Sequence, residues 1–348
     1  MKYKIQFAVL GIITLLIFSC KNVSIKESSF VKSQVSGKYI LDAPEGVWHW
    51  GMAPIYDVKG KLHVFMSSIP NKGSWVRNSS IVHYTANSPE GPYTFVDTTF
   101  TSKTHTYHNP QISKVGDIYV LVYLWKNSKT ETINQEIGIA TTKTLNGPWI
   151  ESPNNPVLKA SGKQGDGATI IHASNPTFLQ DKDGKFRIYY KSITDAYGNE
   201  RHREISMAIS DKIEGPYRNY DKNPLISYAE KGLDIEDCYA FLYKDSYYII
   251  VEDRKGIKNM LENKTVADSL NKPGGWRPGL IYKSNNGLNW ERPEIGYKTN
   301  QEYFGTKLAR TERPHILWKN GEPECLFLAC HDEDPSAGFF VRIKGWNP

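Results

Sequence analysis

The sequence predicts an all-β protein with the architecture of a five-bladed β-propeller, and three recurring features predict it. A strand-opening phrase occurs five times, and in four of those places its second residue is proline. A polar turn and then a strand rich in Val, Ile, Tyr and Phe follow each opener. Four of the five units continue into a Gly-Pro-aromatic or Gly-x-x-Trp turn. Repeated sheets of this kind cannot bury both faces alone, so they stack radially around an axis.

The openers give the order of the blades along the chain. They begin at Ala53, Asn109, Asn175, Tyr239 and Arg313. The strands predicted to come second in each blade are 62–66, 118–123, 186–190, 247–251 and 325–328. We expect the fifth blade to close with residues 338–343 and an N-terminal strand. A short helix over 258–270 is the one helical segment that the pattern favours.

Composition sets broad limits on the function. The chain has 348 residues, of which 39% are apolar and 12% aromatic, enough for a packed core without low-complexity interruptions. The net charge is +6, and two of those charges, Lys2 and Lys4, lie in a segment predicted to be removed, which leaves about +4. Such a mild and dispersed charge does not favour a nucleic-acid partner, whereas a small acidic substrate is compatible with it.

The N-terminus has the pattern of a secretory signal. Lys2 and Lys4 precede an apolar run over 7–18, which is short for a membrane span, and Ser19-Cys20 follows. The pair resembles a bacterial lipobox, so we predict a signal peptide over 1–19, lipid attachment at Cys20, a polar tether over 20–40 and a catalytic propeller over 41–348. The protein would then lie in the bacterial cell envelope, periplasmic or at the outer membrane, anchored to a membrane by this lipid. Plain signal-peptidase cleavage is the alternative.

The remaining cysteines, Cys238, Cys325 and Cys330, are odd in number and give no disulfide framework. Cys325 and Cys330 are five residues apart on one predicted strand and therefore point to opposite faces. We expect all three to be small buried hydrophobic residues, without a nucleophilic role.

The chemistry is expected at one mouth of the propeller, because the loops that enter the innermost strands converge there. Seven segments at those places are rich in His, Arg and carboxylates: 48–52, 107–109, 172–175, 234–237, 252–254, 310–315 and 331–334. Glu236 is the candidate proton donor, and Asp234 is a second candidate carboxylate. Alternation places these two on one side of the strand and Asp237 on the other. Crowded carboxylates should raise the pKa of Glu236, although a solvated acidic loop or a cation site is the alternative.

Histidines and arginines supply further candidates at the same mouth. Four histidines each precede or begin an inner strand: His49, His108, His172 and His315. We expect at least one of them to act as a general acid or base. We take His108, His172 and His315 as candidate catalytic residues and His49 as a candidate substrate contact, the alternative for each being a structural histidine. Four arginines lie in or near these segments: Arg254, Arg277, Arg310 and Arg313. Their planar guanidinium groups are suited to binding a carboxylate or a sulfate, and the alternative is that they form internal salt bridges.

The remaining candidate substrate contacts are Trp50, Asn109 and Asn175. Trp50 is able to stack on a sugar face, or it packs in the core. Close-spaced metal-ligand motifs do not occur, so we predict no catalytic metal and no cofactor. A structural calcium ion is left open.

This arrangement resembles the five-bladed glycoside hydrolases of family 43 and their relatives, including the agar-oligosaccharide hydrolases of family 117, over roughly residues 43–345. The Asn-Pro openers, the Gly-Pro-Tyr turns, Ile235-Glu236 and 312–314 carry the resemblance. It implies a general base Asp before blade one, a tuning Asp before blade three and a general acid Glu before blade four. Glu236 matches the acid, whereas Ala53 and Asn175 stand where the two Asp residues would be.

Without the base Asp, either another carboxylate such as Asp234 or Asp237 replaces it or the reaction is not ordinary hydrolysis. The leading expectation is an exported glycoside hydrolase acting on the non-reducing end of acidic oligosaccharides in polysaccharide degradation. The alternative is a dehydratase or lyase of ulvan-like algal polysaccharide, in which Arg holds a uronate, a His or Tyr107 removes a proton, and Glu236 or a His protonates the leaving oxygen. A non-catalytic sugar-binding propeller is the third hypothesis.

Overall fold

The computed structural model describes residues 24–75, 77–126, 135–160, 172–194, 201–265, 277–305, 310–331 and 337–348. Within them, twenty strands form five four-stranded antiparallel sheets, which confirms the predicted five-bladed β-propeller. The predicted signal peptide and Cys20 lie outside the described residues. In the part of the chain that the structure describes, no helix is long and apolar enough to cross a membrane.

The strands of each blade run in sequence order from the tunnel outward, except in the fifth blade. Blade one contains β2 (Val47–Tyr56), β3 (Leu62–Pro70), β4 (Ser80–Ala86) and β5 (Thr94–Phe100). Blade two contains β6 (Thr106–Val115), β7 (Ile118–Lys126), β8 (Glu136–Thr142) and β9 (Ile150–Glu151). Blade three contains β10 (Ala173–Gln180), β11 (Phe186–Thr194), β12 (His202–Ser210) and β13 (Arg218–Asn219). Blade four contains β14 (Ile235–Tyr243), β15 (Ser246–Asp253), β16 (Gly279–Ser284) and β17 (Glu294–Tyr297).

The fifth blade is completed by the N-terminal segment, as the sequence predicted. From the tunnel outward it contains β18 (Arg310–Lys319), β19 (Glu322–His331), β20 (Ala337–Ile343) and β1 (Gln34–Asp42). Pairing of β1 with β20 runs from Gln34 opposite Ile343 to Asp42 opposite Ala337. Folded structure therefore begins before residue 41, within the segment assigned to a tether.

Within the described ranges, four short helices lie outside the sheets: α1 (Ser29–Lys32), a 3₁₀ turn (Ala229–Lys231), α2 (Ile257–Leu261) and α3 (Asn300–Phe304). The predicted helix over 258–270 corresponds to α2, which is shorter, and 266–270 lies outside the described residues. Ser28 caps α1 by accepting a hydrogen bond from the Val31 amide, and Phe30 beside it is fully buried. The N-terminal segment is thus packed against blades four and five.

Apolar clusters fill the space between each pair of neighbouring blades, so each blade buries both faces only in the ring. Tyr123 and Phe65 lie in the cluster between blades one and two, and Met52 packs with Phe327 and Phe340 between blades one and five. Cys238, Cys325 and Cys330 are buried, as predicted. These clusters fix the angle between blades and hence the positions of the innermost strands.

Every innermost strand carries a register shift at the same level, a β-bulge that leaves one residue with a positive φ. The bulged residues are Gly51 (φ 68°), Asn109 (51°), Asn175 (50°), Asp237 (54°) and Arg313 (54°). Gly, Asn and Asp tolerate this conformation best, and a proline in the next position needs no ladder hydrogen bond. The openers were correctly placed in three blades. In blades one and four the predicted openers, Ala53 and Tyr239, lie two residues after the bulged residues Gly51 and Asp237. The reason is that Gly51 and Asp237 are followed by Met52 and Cys238 and not by the proline that marks the bulge in the other blades.

Candidate active site

Four of the five bulges bring polar side chains into a continuous ring around the tunnel axis. Asn109 Nδ2 donates to Asn175 Oδ1 at 2.8 Å, and Asn175 Nδ2 donates to Asp237 Oδ1 at 2.6 Å. Arg313 completes the ring, donating from Nη1 to Asp237 Oδ1 at 3.4 Å and from Nη2 to the Asn109 carbonyl at 3.3 Å. In blade one, a Cβ on Gly51 would lie 3.3 Å from Arg313 Nε, so glycine leaves room for the guanidinium.

Above this ring lies a cavity of about 200 Å³. Its positively charged lining residues are Lys191, Arg203, Arg254 and Arg310, and its carboxylates are Glu236, Asp237 and Glu312. The other lining residues are Trp50, Trp75, His108, Asn109, Leu124, Gln135 and Asn175. A larger cavity of about 410 Å³ is lined by the opposite ends of the inner strands, and Lys114 is the one charged residue among its described lining residues. The chemistry-bearing side chains therefore gather at the mouth that the sequence analysis indicated.

Glu236 is surrounded by cations. Lys191 Nζ lies 2.6 Å from Oε1, while Arg203 Nε and Arg254 Nη1 lie 3.1 and 2.9 Å from Oε2. Burial alone would raise the pKa of Glu236, but Lys191, Arg203 and Arg254 together hold it well below its ordinary value. The expectation of a raised pKa at Glu236 was therefore wrong: the sequence shows its acidic neighbours, but the cations come from β11, the start of β12 and the end of β15.

Asp234 lies behind this group and does not line the cavity. It is fully buried and ion-paired with Arg203 at 2.8 Å and Lys255 at 3.4 Å, and His202 Nδ1 lies 3.2 Å from it. Asp237, expected on the opposite side of the strand from Glu236, lines the cavity beside it. The bulge at Asp237 breaks the alternation on which that expectation depended. Asp234 thus supports Arg203 rather than facing a substrate.

A second group of carboxylates lies toward blade five. Oxygens of Asp237, Glu252 and Glu312 all lie within 4.8 Å of one another, and all three side chains are buried. Burial, and then the charge of Asp237, raises the pKa of Glu312 to about 7 against the opposing effect of Arg310. Burial and the charge of Glu312 raise the pKa of Glu252 well above its ordinary value. Glu312 lines the cavity, so it can present a proton to a bound molecule.

This grouping offers only oxygen atoms, which a hard cation such as Ca²⁺ prefers. However, Arg313 is paired with Asp237 at 3.4 Å, and Arg310 with Glu312 at 3.4 Å. Both Glu252 oxygens are buried without a hydrogen-bond partner, which suits a protonated carboxyl group. We therefore treat the three as carboxyl groups that share protons and assign no metal to them.

Of the four candidate histidines, His108 alone lines the cavity. Its Nδ1 lies 2.8 Å from Ser79 Oγ, and burial lowers its pKa to about 3. His172 Nδ1 accepts from the Gln135 amide at 3.3 Å, and burial lowers its pKa to about 4. His315 lies deeper in the tunnel, and burial lowers its pKa to about 3. His49 lies between blades one and five, and burial lowers its pKa to about 4. All four rings are therefore neutral near pH 7.

The predicted arginine contacts divide into three groups. Arg254 and Arg310 line the cavity. Arg313 belongs to the polar ring below it. Arg277 lies elsewhere, donating from Nε to the Asp253 carbonyl at 2.7 Å, and burial lowers its pKa. Arg277 is therefore placed to hold the end of β15 in position.

Of the remaining predicted contacts, Asn109 and Asn175 line the cavity and belong to the ring. Trp50 also lines it and packs edge-to-face on Trp75 with ring centroids 5.0 Å apart. Sequence reasoning missed Lys191, Arg203, Trp75 and Gln135, and it gave Glu312 no catalytic role. Glu312 had a usable signal, because it directly precedes the Arg-Pro of the fifth bulge, as Glu236 precedes the fourth.

Comparison with known proteins agrees with this architecture. No protein-family model matches the chain. The chain is 26% identical over 278 residues to an extracellular endo-α-(1→5)-L-arabinanase of Thermotoga petrophila, a match that covers 74% of this chain and 52% of that protein. The chain thus spans about half the length of this relative.

Solved structures give wider coverage at lower identity. A family 117 glycoside hydrolase of the marine bacterium Zobellia galactanivorans aligns with a TM-score of 0.62 over 91% of this chain and 92% of that chain, at 14% identity. A thermostable family-43 glycoside hydrolase aligns with a TM-score of 0.58 over 89% and 98%, at 10% identity. These likenesses show the fold, and they confirm the predicted resemblance to the propellers of families 43 and 117.

Proposed function

We propose that the protein is an exported glycoside hydrolase that acts on the non-reducing end of acidic oligosaccharides. One observation carries the proposal: two carboxyl groups, Glu236 and Glu312, line a single cavity, the first among three cations and the second beside two other buried carboxyl groups. Glu236 is ionised among three cations, and Glu312 has a pKa of about 7. Glycoside hydrolysis needs one carboxyl group to protonate the leaving oxygen and one ionised carboxylate to assist at the sugar carbon.

In this proposal Glu312 is the general acid, the role that the sequence analysis gave to Glu236. Glu236 is the ionised partner, which directs water or stabilises the positive charge that develops on the sugar ring. The polar ring of Asn109, Asn175 and Asp237 forms the floor, and Trp50 and Trp75 form an apolar wall. The cavity, about 200 Å³, is smaller than the roughly 300–1,000 Å³ of sites for drug-sized ligands, which suits a single terminal sugar.

Product masses test the reaction type. The purified protein is incubated with acidic and neutral oligosaccharides, and we expect each cleavage of an acidic substrate to add one water across the broken bond. Glu312→Gln should lower kcat by about 10²–10⁴ fold, the usual contribution of a general acid. A substrate with an activated aryl leaving group should recover much of that loss, because such a group departs without a proton.

The matched control is Glu291→Gln, which removes a carboxylate from an exposed position outside the cavity and should leave kcat unchanged. Full activity of Glu312→Gln on an ordinary oligosaccharide would remove Glu312 from the mechanism. Binding of oligosaccharides without any product would instead support the non-catalytic sugar-binding propeller.

Elimination is the second candidate, favoured by the neutral His108 in the same cavity as four cations. The cations would hold a uronate carboxylate and acidify the neighbouring proton, His108 would remove it, and Glu312 would protonate the leaving oxygen. A dehydratase product is lighter by one water, and a lyase product gains no water but carries a conjugated double bond that absorbs in the ultraviolet. Either product would replace the hydrolase proposal. Tyr107, the alternative base, is less suited, because burial raises its pKa to about 12.

Anchoring in the cell envelope is the remaining part of the proposal. The support is the sequence pattern that ends at Ser19-Cys20. Cells that express the full chain should incorporate a labelled fatty acid into the wild-type protein and not into Cys20→Ser. Equal labelling of the two would refute attachment at Cys20.

A further inference from the structure

The three cations around Glu236 carry more positive charge than their carboxylate partners neutralise. We call Lys191, Arg203 and Arg254 the cationic triad. Arg203 is shared with Asp234, which also pairs with Lys255 at 3.4 Å. Among the residues that the structure describes, the three cations of the triad share two carboxylates, Glu236 and Asp234, which leaves a formal surplus of one positive charge. Charge that is concentrated in this way at a cavity wall attracts an external anion.

The triad is also accessible from the cavity. The side chains of Arg203 and Arg254 are 28% and 33% exposed, whereas that of Glu236 is 11% exposed. Asp234 fixes Arg203 from behind, through Nη1 to Oδ2 at 2.8 Å and through the Arg203 amide at 3.2 Å. The Arg203 guanidinium therefore presents N–H donors to the cavity in a position that does not depend on Glu236, and Arg254 lines the cavity beside it.

We propose that the cationic triad is the subsite for an oxyanion on the terminal sugar, either a carboxylate or a sulfate ester. In the absence of that anion, the carboxylate of Glu236 occupies the subsite. The carboxylate of Glu236 accepts the same donors that a substrate oxyanion needs. The two compete, and an acidic sugar displaces Glu236 from part of the triad. This inference deepens the proposed function and rests on it for the role of the released carboxylate.

The competition has a consequence for specificity. While the triad holds Glu236, its carboxylate is a poor proton acceptor, because three cations stabilise its charge. An anionic sugar takes over some of these contacts, and the basicity of Glu236 then rises. A neutral sugar of the same shape leaves Glu236 held. Acidic and neutral substrates should therefore differ in kcat and not only in KM.

Binding of simple anions tests the subsite without turnover. Isothermal titration with inorganic sulfate and with a free uronic acid, at constant chloride, compares the wild type with Glu236→Gln and Arg254→Gln. Removing the internal competitor should make Glu236→Gln bind the anion about tenfold tighter, or 1.4 kcal/mol, and losing a donor should make Arg254→Gln bind about tenfold weaker. The two probes separate the sources: the oxyanion that gains more in Glu236→Gln is the group carried by the substrate.

Lys255→Gln is the matched control, because it removes a positive charge next to the triad without removing a side chain that lines the cavity. It should change anion affinity by less than about threefold. Unchanged or weaker binding by Glu236→Gln, or an equal effect of Lys255→Gln and Arg254→Gln, would overturn the proposal. Should Glu236→Gln fail to fold, Glu236→Asp keeps the charge with a shorter reach and should bind the anion more tightly than the wild type.

The outcomes for the subsite and for the hydrolase are distinguishable. If anion binding follows this pattern but no oligosaccharide is cleaved, the hydrolase proposal is refuted and the subsite proposal is supported. Cleavage of acidic substrates with no gain in anion affinity for Glu236→Gln would do the reverse.

Discussion

The buried carboxyl group of Glu312 should make the protein less stable in neutral and alkaline solution than it would be without that group. Its pKa is about 7 in the folded state, against 4.5 for the ordinary side chain, and burial is the largest cause. Between these two pH values the folded protein keeps a proton that the unfolded chain releases, so the free energy of unfolding falls as the pH rises through this window. Each pKa unit corresponds to about 1.36 kcal/mol, which gives a total of about 3 kcal/mol above pH 7.

Glu312→Gln removes the ionisation and keeps the shape. Urea unfolding at pH 8 should show Glu312→Gln to be more stable than the wild type by about 3 kcal/mol, while at pH 4.5 the two should agree within about 0.5 kcal/mol. Glu291→Gln, at an exposed position, should track the wild type at both pH values. The reasoning fails if Glu312→Gln is no more stable at pH 8, or if its advantage is the same at both pH values.

Three other changes test the fold around the site. Gly51→Ala places a Cβ at φ +68° and 3.3 Å from Arg313 Nε, so urea unfolding should show a loss of about 1–2 kcal/mol. His83 is fully buried, and burial lowers its pKa to about 3. As the pH falls below 6.5, the unfolded chain binds a proton at this histidine before the folded protein does, so the free energy of unfolding of the wild type should fall. His83→Phe should reduce the stability lost between pH 7 and pH 4 by roughly 3 kcal/mol, and an unchanged acid titration would contradict this. A chain that begins at residue 43 lacks β1 and leaves β20 as an unpaired edge strand. Its melting temperature should therefore lie more than about 10 °C below that of the full chain. Equal melting temperatures would show that β1 does not close the ring.

The architecture was predictable from sequence because each blade repeats the same local signals. Asn-Pro marks a bulge, since asparagine tolerates positive φ and proline needs no ladder hydrogen bond there. Blade one has Gly51-Met52 at this position and blade four has Asp237-Cys238, so the prediction aligned the next recognisable phrase instead. The error of two residues kept the fold intact, but it took Ala53 as the start of the opener in blade one, whereas the bulge lies at Gly51.

The site was harder to predict because its electrostatics depend on residues that are distant in sequence. Glu236 stands in an acidic segment, and its neighbours along the chain suggest a raised pKa. Lys191, which is 45 residues earlier, and Arg203 reverse that direction through contacts that cross from one blade to the next. Glu312, in contrast, is followed by an arginine, yet burial and the charge of Asp237 raise its pKa to about 7. Blade packing, which the sequence pattern does not encode residue by residue, decides both outcomes.

The bulges also explain why so small a cavity holds so many functional groups. In a regular strand, consecutive side chains point to opposite faces, so one strand contributes every second residue to a site. Here His108 and Asn109 both line the cavity, and so do Glu236 and Asp237, because a bulge lies at each pair. One residue of each pair, Asn109 or Asp237, joins the polar ring, while the other, His108 or Glu236, faces the cavity. Five such positions meet on one axis, so a substitution that straightens a single bulge should disturb the ring and the cavity together.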